Sequence, residues 1–107
     1  MRPVATAQTN LEALQERIRL APGALVASRI KRARKTMDPQ PRGLSHDDFG
    51  RLVGTSRQHL IKLEKAQHRP GAEMLLRISE ASGRSVDWFL DPEVDPRPFP
   101  DGDGGSD

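Results

Sequence analysis

Two short amphipathic segments joined by residues 54–56 constrain the fold of this chain more than any other feature of its sequence. Ser45 and Ser56 each stand directly before one segment, where a serine oxygen can accept a hydrogen bond from a first-turn amide. Gly54 ends the first segment, because glycine adopts the left-handed backbone that a tight turn needs. The predicted buried positions are Phe49, Leu52, Val53, Leu60 and Leu63. This pattern predicts two short helices held at a steep angle.

Helical spacing continues on both sides of this pair and no strand-like alternation is found, so the predicted fold class is all-α. Thr9 and Glu12 have the spacing of a capping box, which predicts a helix start at Thr9. Two prolines and a glycine make residues 38–43 a predicted loop. The predicted organisation is a disordered N-terminus at 1–8, an N-terminal helix at 9–21, a helical domain at 24–91 and an acidic disordered tail at 92–107.

The charges of the chain are segregated along its length. Residues 29–69 contain eleven Lys or Arg and four Asp or Glu, a net charge of +7, whereas residues 86–107 contain seven acids and one Arg, a net charge of −6. A basic centre is compatible with a polyanionic partner such as nucleic acid, and equally with a solvated surface. Cysteine is absent and no apolar stretch reaches the length of a membrane span, so we expect a cytoplasmic, nucleoid-associated protein without membrane contact.

The second segment of the pair has a polar outer face. With Leu60 and Leu63 directed inward, the outward positions are Arg57, Gln58, Ile61 and Lys62. Arginine and glutamine are suited to bidentate hydrogen bonds with guanine and adenine edges in the major groove. Ile61 either contacts thymine methyl groups or, as we prefer, packs under the neighbouring basic loop.

The ordered set of residues resembles the Cro/repressor (XRE) family of helix-turn-helix proteins. The resemblance covers roughly residues 25–90 and rests on Arg29-Ile30, Arg34, Gly43-Leu44-Ser45, Phe49-Gly50, Gly54-Thr55-Ser56, Leu60, Leu63-Glu64, Pro70, Leu75, Ile78 and Gly83. Each element alone is common, but their order and spacing are specific. The resemblance implies a compact five-helix, lambda-repressor-like DNA-binding domain, here with an extra N-terminal helix and disordered termini.

The resemblance also implies roles for individual residues. It pairs Arg34 with Glu64 in a structural ion pair. The implied base-contacting residues are Arg57, Gln58, Lys62 and His46, the last standing where the family usually has glutamine. The implied phosphate-contacting residues are Ser45, His59, Lys65, Gln67, His68, Arg69 and Arg32. Ala66 replaces the usual glycine after the recognition helix, which predicts a strained turn.

Other classes of function have little support in the sequence. The three histidines lie on separate elements without a neighbouring cysteine, so we expect no metal site and no cofactor. Ser45 and Ser56 are predicted helix caps rather than nucleophiles, and no glycine-rich phosphate loop is present, so we expect no enzymatic activity.

The predicted function is sequence-specific binding of double-stranded DNA by a homodimeric transcriptional regulator that acts as a repressor. The alternative is a protein-interaction module, either the antitoxin of a toxin–antitoxin pair or an adaptor of the transcription machinery, that binds a partner through its terminal segments. Leu11, Leu14 and Ile18 then cover either the domain's own surface or a subunit interface. The acidic tail is a further candidate to fold back onto the basic face and tune DNA affinity.

Overall fold

A computed structural model of the protein describes residues 3–37 and 42–94, with side chains from residue 11 onward. These residues form six helices and no strand, which confirms the all-α fold with one helix preceding a five-helix domain. The helices are α1 (Pro3–Leu20), α2 (Gly23–Lys35), α3 (His46–Val53), α4 (Arg57–Glu64), α5 (Ala72–Ser82) and α6 (Val86–Leu90). None of the described helices is long and apolar enough to cross a membrane.

The first helix begins six residues earlier than the capping-box spacing predicts. α1 starts at Pro3, so Thr9 lies inside the helix rather than at its start. Proline is favoured in the first turn of a helix, because the amide that it lacks would have no intrahelical partner there. The residues from Val4 to Gln8 include two alanines and a glutamine and contain no helix breaker. Of the predicted tail, residues 95–107 lie outside the described residues.

α1 packs on the domain itself rather than projecting from it. Leu14 and Ile18 are buried in the same apolar cluster as the other helices. The Oε1 atom of Gln15 accepts a hydrogen bond of 2.9 Å from the backbone N–H of Ala72, which lies in the first turn of α5. Because an isolated helix end leaves such amides without a partner, α1 caps α5 as well as covering the core.

The core draws side chains from all six helices. α6 contributes Trp88, Phe89 and Leu90, all buried, so this short helix belongs to the core of the single chain. Leu52 is the exception to the predicted core, because its side chain is 55% exposed. α3 instead buries Phe49, Gly50 and Val53. At 100° per residue, Phe49, Val53 and Gly50 lie within an arc of about 100°, and Leu52 lies about 60° outside that arc.

Three serines cap three helices, and two of them, Ser45 and Ser56, are the caps that the sequence predicts. Ser45 Oγ accepts a hydrogen bond from the N–H of Asp48, and Ser56 Oγ accepts one from the N–H of His59, each at 3.0 Å. Ser85 Oγ accepts the N–H of Trp88 at 3.1 Å. Because each cap satisfies an amide that the helix cannot, these bonds fix where α3, α4 and α6 begin.

Truncation of Ile18 tests whether α1 is part of the folded domain. We expect Ile18→Ala to lower the free energy of unfolding by about 2–5 kcal/mol, because a fully buried side chain would leave a cavity. The measurement is urea unfolding followed by circular dichroism. Leu20→Ala, in the same helix but 67% exposed, is the matched control and should change stability by less than about 0.5 kcal/mol. Equal effects of the two variants would show that α1 does not pack on the domain in solution.

Candidate nucleic-acid interface

The turn between α3 and α4 sets the position of α4. Gly54 adopts a left-handed conformation with φ +77°, as predicted. A Cβ atom on Gly50 would lie 2.8 Å from the carbonyl oxygen of Thr55, a distance that real side chains do not reach. The N–H of Thr55 donates a hydrogen bond of 2.8 Å to the carbonyl of Gly50. The two glycines therefore allow α3 and the start of α4 to approach more closely than any larger residue would.

A buried ion pair anchors the other end of α4 to α2. Arg34 donates from Nε to Glu64 Oε2 at 2.7 Å and from Nη2 to Glu64 Oε1 at 3.0 Å. The same guanidinium donates from Nη1 to the carbonyl of Leu44 at 2.8 Å. Only 9% of the Arg34 side chain and 5% of the Glu64 side chain are exposed. One arginine thus holds together α2, the chain that leads into α3, and the last residue of α4.

His46 joins this pair instead of the outer face of α4. Its Nε2 atom lies 3.1 Å from Glu64 Oε1, and its side chain is 27% exposed. The sequence contains no signal for this contact between His46 and Glu64. The family resemblance assigns the position of His46 to a DNA contact, and a contact between residues 18 positions apart depends on how the helices pack.

Three outward positions of α4 and the C-cap residue Lys65 form a polar row, which we define as the recognition row: Arg57, Gln58, Lys62 and Lys65. All four are exposed. Within the described part of the chain, the side chains of Gln58, Lys62 and Lys65 have no hydrogen bond or ion pair. Arg57 lies 3.9 Å from Asp47 in a pair exposed on both sides, which contributes about 0–1 kcal/mol and leaves the guanidinium available. Ile61 is half-buried beside the row.

The segment after α4 continues the exposed polar surface. Gln67 and His68 are exposed, and the ring of His68 lies 5.8 Å from that of His59, centroid to centroid. Ala66 has φ +61°, so the turn that the sequence predicts to be strained does carry an alanine in a left-handed conformation. Backbone strain of this kind costs about 1–3 kcal/mol and persists only where the surroundings impose it.

Two of the predicted phosphate-contacting residues are placed elsewhere. Arg69 donates from Nη1 to the carbonyls of Ile18 and Ala21, at 2.8 and 2.7 Å, and so caps the C-terminal end of α1. Arg32 lies two residues before Arg34, so its side chain leaves α2 roughly 200° around the axis, on the side away from Glu64. Neither residue extends the recognition row in this structure.

Sequence reasoning also misses the burial of Arg29. Arg29 donates from Nη1 to the carbonyl of Trp88 at 2.5 Å, and its guanidinium carbon lies 5.4 Å from the centre of the Trp88 ring. The signal was present in the spacing, because Val26, Arg29, Ile30 and Ala33 follow the i, i+3, i+4, i+7 pattern of a buried helix face. The charge of arginine conceals that pattern.

Comparison with known proteins agrees with this geometry. A family model described as helix-turn-helix, of the Cro/C1 type, matches residues 30–89, which are 60 of the 107 residues. The chain belongs to the Cro/C1-type helix-turn-helix family. The match includes α3, α4 and both partners of the Arg34–Glu64 pair, and it assigns DNA binding and transcription regulation to this helix-turn-helix protein. No curated protein and no solved structure gives a significant match.

The Arg34–Glu64 pair can be tested by neutralising one partner. We expect Glu64→Gln to lower the free energy of unfolding by about 3–5 kcal/mol, because it leaves the buried Arg34 cation without a carboxylate. The double variant Arg34→Met/Glu64→Leu should recover much of this loss, because it removes both buried charges. Denaturant unfolding of the helix-turn-helix protein measures each value.

The matched control is Glu80→Gln, which makes the same substitution at an exposed position of α5. It should leave stability unchanged within experimental error. If Glu64→Gln behaves like this control, the ion pair does not form in solution and does not hold α4 in place.

Proposed function

We propose that this protein is a sequence-specific regulator of transcription, a repressor, that recognises double-stranded DNA with α4. The observation that supports this proposal is the recognition row. It is an exposed polar face on a helix whose opposite face is held in the core by Leu60 and Leu63. The helix is about 12 Å long and of a width that the major groove admits. A polar surface held by a rigid scaffold is suited to specific hydrogen bonding with base edges.

Residues at the start of α4 make the base contacts in this proposal. Arg57 and Gln58 occupy its first two positions, and the N-terminal part of a recognition helix is the part that meets base edges. Lys62 adds a contact about one turn later. His46 acts by positioning Glu64 rather than by contacting a base, because its Nε2 atom already bonds that carboxylate.

Phosphate contacts come from the C-terminal end of this row and from residues beside it. Ser45 and Lys65, with Gln67 and the adjacent rings of His59 and His68, lie at the ends of α3 and α4 where the DNA backbone would pass. Contacts of this kind fix the register of the protein without selecting a sequence. Arg69 and Arg32 are left out of this set, since one caps α1 and the other lies on the far side of α2.

A homodimer follows from the size of the recognition helix. One helix of eight residues contacts only a few base pairs, so a unique site requires two copies. Two-fold symmetry would place two half-sites about one helical turn apart on an inverted repeat, in the cytoplasm at the nucleoid. The alternative of a protein-interaction module loses one of its two terminal contact surfaces, because Leu14 and Ile18 of α1 are buried within the domain.

Selection from a randomised duplex library, followed by variants on the selected site, tests the proposal. The expected result is an enriched inverted repeat. Arg57→Ala and Gln58→Ala should each weaken binding to it by about 1–3 kcal/mol and relax base preference at one position. Lys65→Ala should instead weaken binding to all sequences alike and reduce the salt slope by about one unit.

Arg51→Ala is the matched control for Arg57→Ala. Arg51 lies in the last turn of α3 and is paired with Asp48 at 2.7 Å, so its loss removes an arginine without touching the recognition row. It should bind the selected site like the parent protein. Failure of the library to enrich any sequence, with binding that disappears as salt is raised, would contradict the proposed function.

A further inference from the structure

A second basic surface lies on the outer side of α2. An open cleft of about 560 Å³ is lined there by Leu25, Ser28, Arg29, Lys31, Arg32, Lys35 and Thr36. We call it the α2 cleft. Four of its seven lining residues are cationic. Its volume is that of a pocket which holds a small ligand or a few residues of peptide.

The α2 cleft is separate from the recognition row. Arg34 points from α2 toward Glu64 of α4, whereas Arg32, two residues earlier, leaves α2 on roughly the opposite side. The neighbour on the cleft side is α6, since Arg29 bonds the carbonyl of Trp88. A partner in the α2 cleft therefore does not need to displace anything from α4.

Positive charge accumulates at this cleft. Arg84 Nη2 donates to Thr36 Oγ1 at 3.0 Å, and its guanidinium carbon lies 4.5 Å from the centre of the Trp88 ring. Burial, and in addition the charge of Arg32, lower the pKa of Arg84 below its usual value. Within residues 11–37 and 42–94, Lys31, Arg32 and Lys35 take part in no ion pair. The surface is suited to an extended anion.

An anionic segment follows α6 in the sequence. Val94, the last described residue, packs against the core beyond α6, which is the helix next to the cleft. Residues 95–107 contain four aspartates and one arginine, a net charge of −3. Thirteen residues extend to at most about 45 Å, more than twice the roughly 20 Å length of α2. A segment tethered so closely has an effective concentration on the order of millimolar, which compensates for weak individual contacts.

We propose that the acidic segment 95–107 docks in the α2 cleft of its own chain. Its aspartates neutralise Lys31, Arg32 and Lys35, and the recognition row of α4 remains uncovered. A tail that mimics DNA would compete with DNA for the recognition row. A tail docked in the α2 cleft instead covers a second polyanion-binding surface and leaves the recognition row free. The docking rests on the cleft and on the tail, and it holds whether or not the proposed function does.

Paramagnetic relaxation in the full-length protein without DNA tests the docking. The chain contains no cysteine, so Ser106→Cys provides a single attachment point for a nitroxide. At about 0.01 M salt, where the Debye length is about 30 Å, amide signals of residues 28–36 should broaden and those of 57–65 should not. At about 1 M salt, where the Debye length is about 3 Å, the broadening should disappear.

Two matched double variants locate the contact. Arg32→Gln/Lys35→Gln removes two charges from the cleft and should abolish the broadening, whereas Lys62→Gln/Lys65→Gln removes two from the recognition row and should preserve it. Broadening of α4 instead of α2, or of both alike, would overturn the proposal. A mixture of nitroxide-labelled and isotope-labelled chains identifies the source of the tail. If nitroxide on one chain broadens α2 of another chain, the occupant is the tail of a second copy, and this result would also overturn the proposal.

Discussion

The carboxylate of Glu64 is the point on which the geometry of the domain depends. It is nearly excluded from solvent, and it accepts hydrogen bonds from Arg34 of α2 while lying 3.1 Å from a ring nitrogen of His46 of α3. Three helices therefore meet at one side chain on the last residue of α4. A buried ion pair adds little net stability over an apolar replacement, but breaking it is costly. Its consequence here is orientation, because the end of α4 cannot rotate without leaving a buried charge unpaired.

α1 extends this constraint to the segment that follows α4. Arg69 reaches from that segment to the last carbonyls of α1, and Gln15 of α1 reaches back to the first amide of α5. The segment between α4 and α5 is thus fixed from its inner side, which leaves Gln67 and His68 facing outward. The helix that lies outside the family match is in this way connected to the proposed DNA-binding surface. Removing α1 would loosen the segment that we propose to contact phosphates, and it would also expose the core.

Local rules predict much of this fold, and tertiary contacts decide the remainder. Ser45, Ser56 and Gly54 can be assigned from the sequence because capping and left-handed turns depend on neighbouring residues only. The pairing of Arg34 with Glu64 came from family resemblance, since no local rule connects residues thirty positions apart. The exposure of Leu52 and the capping role of Arg69 could not be predicted, because each depends on which face of one helix meets another element. The burial of Arg29 has a signal in the helical spacing of its neighbours, but the charge of the side chain argues against it. α1 extends N-terminally beyond Thr9 because Thr9 and Glu12 have the spacing of a helix cap but lie within a longer helical run.

The cationic residues between positions 29 and 69 form three groups with different surroundings. Arg29, Arg34 and Arg69 are held by internal partners and stabilise the fold. Arg57, Lys62 and Lys65 face outward from α4, and Lys31, Arg32 and Lys35 surround the α2 cleft. Affinity for any DNA rises with the number of phosphates contacted, whereas discrimination between sequences comes only from base contacts. Cations outside the recognition row thus increase non-specific binding without adding selectivity. Neutralising them within the same chain would favour specific binding and would leave uncovered the α4 residues that we propose to contact bases.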